Sequence, residues 1–270
     1  MSVAGLLLSD SRFPASGHAH SGGVEPAVTA GSVTDLASLE EFLRGRLRAA
    51  GLIAAGLAAA ACARAGRSRP ELWELLDAEA DARTPSPAQR EASRRQGRAL
   101  MRAARVAWPD DATLASLAAW VAANQGGLPG DGAGGTARSG GAAHSDGTAR
   151  ADGVAGGAGG ARAEYRGAPH HAVVLGVAAA AAGCDAREAA RIAAYQSVAG
   201  PASAAVRLLA LDPMRATAVL TRLARDIDRL AERAAAAADG PVEELPCPSA
   251  PALDLLAEAH IRAEVRLFES

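Results

Sequence analysis

Not one of the 270 residues is lysine; all 28 basic residues are arginine. A phosphate-cradling GxxxxGK(S/T) loop is therefore excluded, and no Gly-rich stretch stands between a strand and a helix as a dinucleotide fold requires. Aromatic residues make up only 3% of the chain and the net charge is −2. The stacking platforms and basic footprint of a nucleic-acid-binding protein are both missing. Cysteine is scarce: Cys62, Cys184 and Cys247 are widely spaced and odd in number, which predicts reduced thiols, a cytoplasmic setting and neither a disulfide frame nor a zinc cluster. The longest apolar run, 49–63, stops at Arg64, short of the roughly 18–20 residues that span a bilayer. No basic stretch precedes Leu6–Leu8 as a signal peptide demands. The expectation is no membrane helix and no signal peptide. No serine sits in a nucleophile-elbow context, so the residues themselves point to no reaction.

What is present is alanine and leucine, within a hydrophobic content of 49%. Alanine is the strongest helix former and leucine is close behind. The expected fold is all-α, a single-domain bundle of about eight to ten helices. Leu36, Leu39, Leu43 and Leu47 recur at helical spacing after a capping-box pattern at Ser38 and Glu41. Pro70, Ser86-Pro87 and Asp212-Pro213 mark helix starts, and Gly183 a stop. Asp185-x-x-Glu188 opens a helix that Gly200-Pro201 should kink or interrupt. Two charged faces read as solvated: the acids Glu71, Glu74, Asp77, Glu79 and Asp81, and a basic flank of Arg90, Arg94, Arg95, Arg98, Arg102 and Arg105. An acidic protein partner is the functional alternative for the basic flank. Residues 126–163 turn abruptly to Gly, Ala, Ser, Asp and Thr and are expected to be a disordered, dispensable insert with an exposed His144.

The least ordinary stretch is 6–25, LLLSDSRFPASGHAHSGGVE, in which Pro14, Gly17, Gly22 and Gly23 set turns. Residues 1–33 are expected to be an irregular docking segment. His18 and His20 share one side of an extended chain, a two-histidine spacing that lacks a third metal ligand nearby. Adjacent His170 and His171 diverge by about 100° on a helix and do not suit one metal. Residues 241–270 hold four prolines, a short helix and an apolar Leu267-Phe268 end that either docks on the core or inserts into a partner.

Three blocks then resemble the urease accessory protein F family: LSDSRFPASGHAHSGGVE, PHHAVVLGVAAAAAGCDAREAARIAAYQSVAGPASAAVRLLALDP and SAPALDLLAEAHIRAEVRLFES. They occur in order and cover nearly all of the chain outside the insert. The resemblance implies an all-α homodimer without catalytic site or cofactor, a chaperone of nickel insertion. Its implied partners are the urease D/H accessory protein, the G accessory protein, which is a GTPase, and apo-urease, with no nucleic acid or membrane. It implies a partner-binding set of Phe13, Pro14, Gly17, His18, His20, Ser21, Glu25, Tyr195, Arg207, Arg266, Leu267 and Phe268, and it favours insertion of the 241–270 tail into a partner. The chain departs from the family in having Ala19 where an aromatic is usual, and Leu209 and Asp212 where the RLGxLG pattern, here Arg207 to Asp212, has glycine. The alternative from another class is a metal-binding enzyme using His18, His20 and His260.

Overall fold

The computed structural model describes residues 3–10, 13, 20–67, 69–125, 168–263 and 267–268. Among them the chain is helical throughout: α1 (Val3–Ser9), α2 (Val24–Thr29), α3 (Leu36–Arg46), α4 (Leu52–Ala63), α5 (Pro70–Ala82), α6 (Pro87–Ala107), α7 (Ala112–Gln125), α8 (His171–Ala181), α9 (Ala186–Leu209), α10 (Pro213–Ala236) and α11 (Pro251–Ile261). A π-helical turn, Leu47–Gly51, joins α3 to α4, so that 36–63 is one rod. That rod is long and apolar enough to cross a membrane, yet 67% of its most apolar window is buried inside the fold, as befits a core helix. The expected disordered insert and His144 lie outside the described residues.

Helices α4, α8 and α9 form the centre, with α10 over α4 and α9, and α6 over α8. Their small side chains let backbones approach closely. Ala55 and Ala58–Ala61 of α4 are fully buried, and so is nearly all of α8 from Val173 to Ala179. A helix apolar on every side can sit only in the interior. At the α4–α8 crossing a Cβ on Gly176 would lie 2.3 Å from the Ala58 carbonyl oxygen. Glycine is required there by contact rather than by backbone angle.

The caps follow the sequence at most positions. Pro70, Pro87 and Pro213 each open a helix, and the Asp185 carboxylate and Glu188 form the expected box. Gly183 has φ +74° and ends α8, with the Cys184 N–H returning to the Ala179 carbonyl. Three expectations are corrected. The residues 1–33 are not irregular throughout, because Leu8 is buried and α1 is tied to α9 by the Gln196 amide donating to the Leu8 carbonyl at 2.8 Å. Gly22 (φ +56°) and Gly23 (φ +89°) then turn the chain into α2. The box at the start of α3 is Asp35 with Ser38, one turn earlier than Ser38 with Glu41, since the Asp35 carboxylate accepts from the Ser38 N–H at 2.8 Å. Helix α9 runs through Pro201, whose missing N–H is answered from another helix, as described below.

The two charged faces meet each other. Arg94 is only 4% exposed and its guanidinium donates to Asp77 Oδ2 (2.9 Å), Asp81 Oδ2 (2.8 Å) and the Ala168 carbonyl (2.6 Å). His170 joins them, its Nε2 donating to Asp81 Oδ1 at 2.8 Å while its backbone N–H donates to Asp77 Oδ1 at 3.0 Å. The Ser93 hydroxyl bridges, giving its proton to His170 Nδ1 and accepting from the His171 N–H. Burial works to raise the Asp81 pKa, but the His170 hydrogen bond and the Arg94 charge outweigh it and hold the carboxyl below its ordinary range. The cluster clamps 168–171 against α5 and α6, where a Cβ on Gly97 would lie 2.1 Å from the Pro169 carbonyl oxygen.

Candidate functional site

Four of the residues implied as partner-binding converge on one spot. Glu25, at the start of α2 and 7% exposed, accepts the Leu267 N–H on Oε1 at 2.8 Å and the Phe268 N–H on Oε2 at 3.0 Å. Hydrogen bonds to an ionised acceptor contribute about 1.5–3 kcal/mol each, so one carboxylate reads two successive peptide groups. His260, on the buried side of α11, places Nε2 3.1 Å from the Phe268 carbonyl oxygen. A carbonyl only accepts, so that nitrogen carries the proton. The Arg207 guanidinium lies 4.2 Å above the Phe268 ring centroid, a cation–π contact from α9. Phe268 is 8% exposed while Leu267 beside it is 73% exposed. Leu267 and Phe268 are thus held on the chain's own core with one apolar side chain in and one out, where the resemblance favoured insertion of the tail into a partner.

The remaining described candidates stand around a cavity of about 680 Å³ between α1, α3, α6 and α9. His20 and the half-exposed Tyr195 line it, with His171 on the same wall. Phe13 also lines it and packs on Trp108 at a ring-centroid distance of 6.2 Å. Ser21, on the contrary, is fully buried and its hydroxyl has no hydrogen-bond partner, which suits a side chain fixed by packing rather than one presented to a partner. Pro14, Gly17, His18 and Arg266 lie outside the described residues. Among the described residues no three His, Cys, Asp or Glu side chains gather to hold a metal. His20 and His260 belong to different constellations, one in the cavity and one in the tail contact.

Burial, with a smaller contribution from His20, pushes the His171 pKa down to about 4. The folded value is below the unfolded one of about 6.5, so the neutral ring supports the fold fully above pH 6.5 and that support is lost as pH falls towards 4. At about 1.4 kcal/mol per pKa unit, discounted because the ring is partly exposed, the loss is about 2 kcal/mol. Urea unfolding at pH 7 and pH 4.5 checks this. His171→Asn should flatten the pH dependence by that amount, and an unchanged dependence would contradict the assignment.

Arg46 and Arg83 are functional-looking residues that no local pattern announces. Arg83, 6% exposed, donates through Nη2 to the Val242, Glu243 and Leu245 carbonyls and through Nε to that of Pro246. Arg46 donates to the Ser197 carbonyl at 2.8 Å. The signal for Arg46 is remote, because Pro201 is what leaves that carbonyl without its helical donor.

The family model named UreF matches residues 33–224. The chain is 40% identical over 265 residues to the urease accessory protein UreF of Mycolicibacterium vanbaalenii, covering 98% of this chain and 97% of that protein. It belongs to the UreF family. Similar proteins of the same name occur in Mycobacterium marinum, 39% identical over 265 residues, and Mycobacterium tuberculosis, 36% identical over 266 residues, each match covering 98% of this chain and 97% of the relative. As a UreF protein the chain is an accessory factor in urease maturation and not an enzyme.

Proposed function

We propose that this UreF-family protein works as a cytoplasmic, non-enzymatic assembly chaperone. It joins the urease D/H accessory protein and the G accessory GTPase, as a homodimer, to promote GTP-dependent nickel insertion into apo-urease. Nickel is cargo in this reading and the chain needs no cofactor of its own. The observation that carries it is the gathering of Glu25, Arg207 and His260 on Phe268, with Leu267 left facing solvent. A segment held by a few polar contacts, with an adjacent apolar side chain exposed, suits a tail that exchanges its own core for a partner's groove. Pro14, Gly17, His18 and Arg266 are proposed to extend the same docking surface, together with Phe13, His20 and Tyr195 around the cavity, with Ser21 packed beneath it.

The test is co-purification with the D/H protein after removing the residues beyond Glu264. Kd for the complex should rise at least roughly tenfold while the helical circular dichroism signal is kept. An undiminished complex would refute the tail assignment.

A further inference from the structure

The cavity wall carries a cation, Arg46, that is in an ion pair with no carboxylate among the described residues. Arg46 closes α3, and its Nε–H replaces the donor that Pro201 withholds from the Ser197 carbonyl. That bond engages one of the five N–H groups of a guanidinium. Among the described residues no carboxylate pairs with Arg46, and the terminal nitrogens border the cavity, close against Gly22. Burial alone lowers the Arg46 pKa to about 10, as expected where desolvation has no opposite charge beside it. Arg46 keeps part of its surface exposed, and a partly desolvated cation ordinarily has a counter-ion or water beside it.

The enclosing space is of ligand size, since small-molecule sites occupy roughly 300–1,000 Å³. Its wall offers a hydroxyl from Ser203 and an amide from Gln96 beside apolar surface. The second arginine on the wall, Arg83, is paired with Glu79 and engaged by the carbonyls of 242–246, which leaves Arg46 as the cation facing the cavity. Asp10 stands on the same wall and disfavours a polyanion. His171, with its pKa near 4, is neutral at pH 7 and adds no charge.

We propose that this cavity is a binding site for a small monocarboxylate, whose planar head meets the free edge of the Arg46 guanidinium. Two parallel N–H···O bonds match that fork, and a dianionic phosphate would bring more charge than one arginine balances. The site is separate from the tail contact at Phe268, while Phe13, His20 and Tyr195 on its wall also belong to the proposed docking surface.

Thermal unfolding of the full chain with sodium acetate or propionate, at ionic strength held constant with sodium chloride, tests it. The expected result is a saturable rise in Tm for both carboxylates, exceeding that with inorganic phosphate. Arg46→Gln alone would strand the Ser197 carbonyl, so it is combined with Pro201→Ala, which restores the helical N–H. The double variant should lose the carboxylate response, with affinity at least roughly tenfold weaker. Should it fail to fold, Ser203→Leu, which fills the cavity wall and leaves Arg46 in place, must abolish the response instead. A wild-type Tm that does not saturate with carboxylate, a phosphate response equal to it, or a variant that responds like wild type would each overturn the proposal.

Discussion

Arg94→Ala should lower the unfolding free energy by about 3–5 kcal/mol, the usual cost of removing one partner from a buried ion cluster. The substitution leaves Asp77 and Asp81 facing each other without their shared cation and strips the Ala168 carbonyl of its donor. The loss should shrink in acid. Asp81 has a depressed pKa, so its contribution is full above the unfolded carboxylate range and disappears as pH falls through its lower folded value. Urea unfolding at pH 7 would show a lower midpoint with an unchanged m-value. Arg102→Ala, on the exposed side of the same helix, is the control and should stay within about 0.5 kcal/mol. A cost for Arg94→Ala below about 1 kcal/mol would mean that water replaces the guanidinium freely.

Gly176→Val should be at least as damaging, at roughly 3 kcal/mol or more, because overpacking here meets main chain rather than a yielding side chain. A Cβ at 176 lies 2.3 Å from the Ala58 carbonyl oxygen and 2.7 Å from the Ala61 Cβ. The two central helices would have to separate, opening contacts along the whole of α4 and α8. Gly45→Ala, where nothing lies within 4 Å, should act in the opposite direction and stabilise by about 0.5–1 kcal/mol through helix propensity. Thermal unfolding of the pair gives opposite signs if close approach, and not glycine as such, is what position 176 demands.

Helix number and type were legible in the sequence because proline, aspartate and glycine mark the ends by local chemistry. Asp185, Asp212 and Gly183 do in the structure what their side chains dictate. The charged faces are solvated at Glu71, Glu74, Arg102 and Arg105, as their pattern implies, but not at Arg94, Asp77 and Asp81, for a reason of equal generality. Helical periodicity says which residues share a side, but not whether that side meets water or a complementary helix. The acids of α5 and the arginines of α6 are each ordinary surface patterns, and only their juxtaposition makes Arg94 a buried residue. Arg46 was invisible on the same ground, its role being fixed by a proline in another helix. Glu25, Arg207, Leu267 and Phe268 came as separate residues of a family resemblance, and the fold assembles them. Helix α1 escaped notice because Gly5 and the turn residues around it weaken the local pattern, whereas burial of Leu8 supplies the missing stabilisation.

The N-terminus of α6 is completed from far along the chain. Glu258 of α11 accepts the Ser86 hydroxyl at 2.6 Å and the Ala88 N–H at 3.0 Å, and those bonds, the Ser86 one first, hold its pKa below the ordinary glutamate range. Arg83, just before it, waits likewise for the carbonyls of 242–246. A ribosome must therefore deliver the chain through Glu258, some 170 residues further on, before the joint between α5 and α6 can close. Until then a cation and a helix start in the first third of the chain stay wet, and the nascent protein offers chaperones and proteases an unfinished seam that α11 seals.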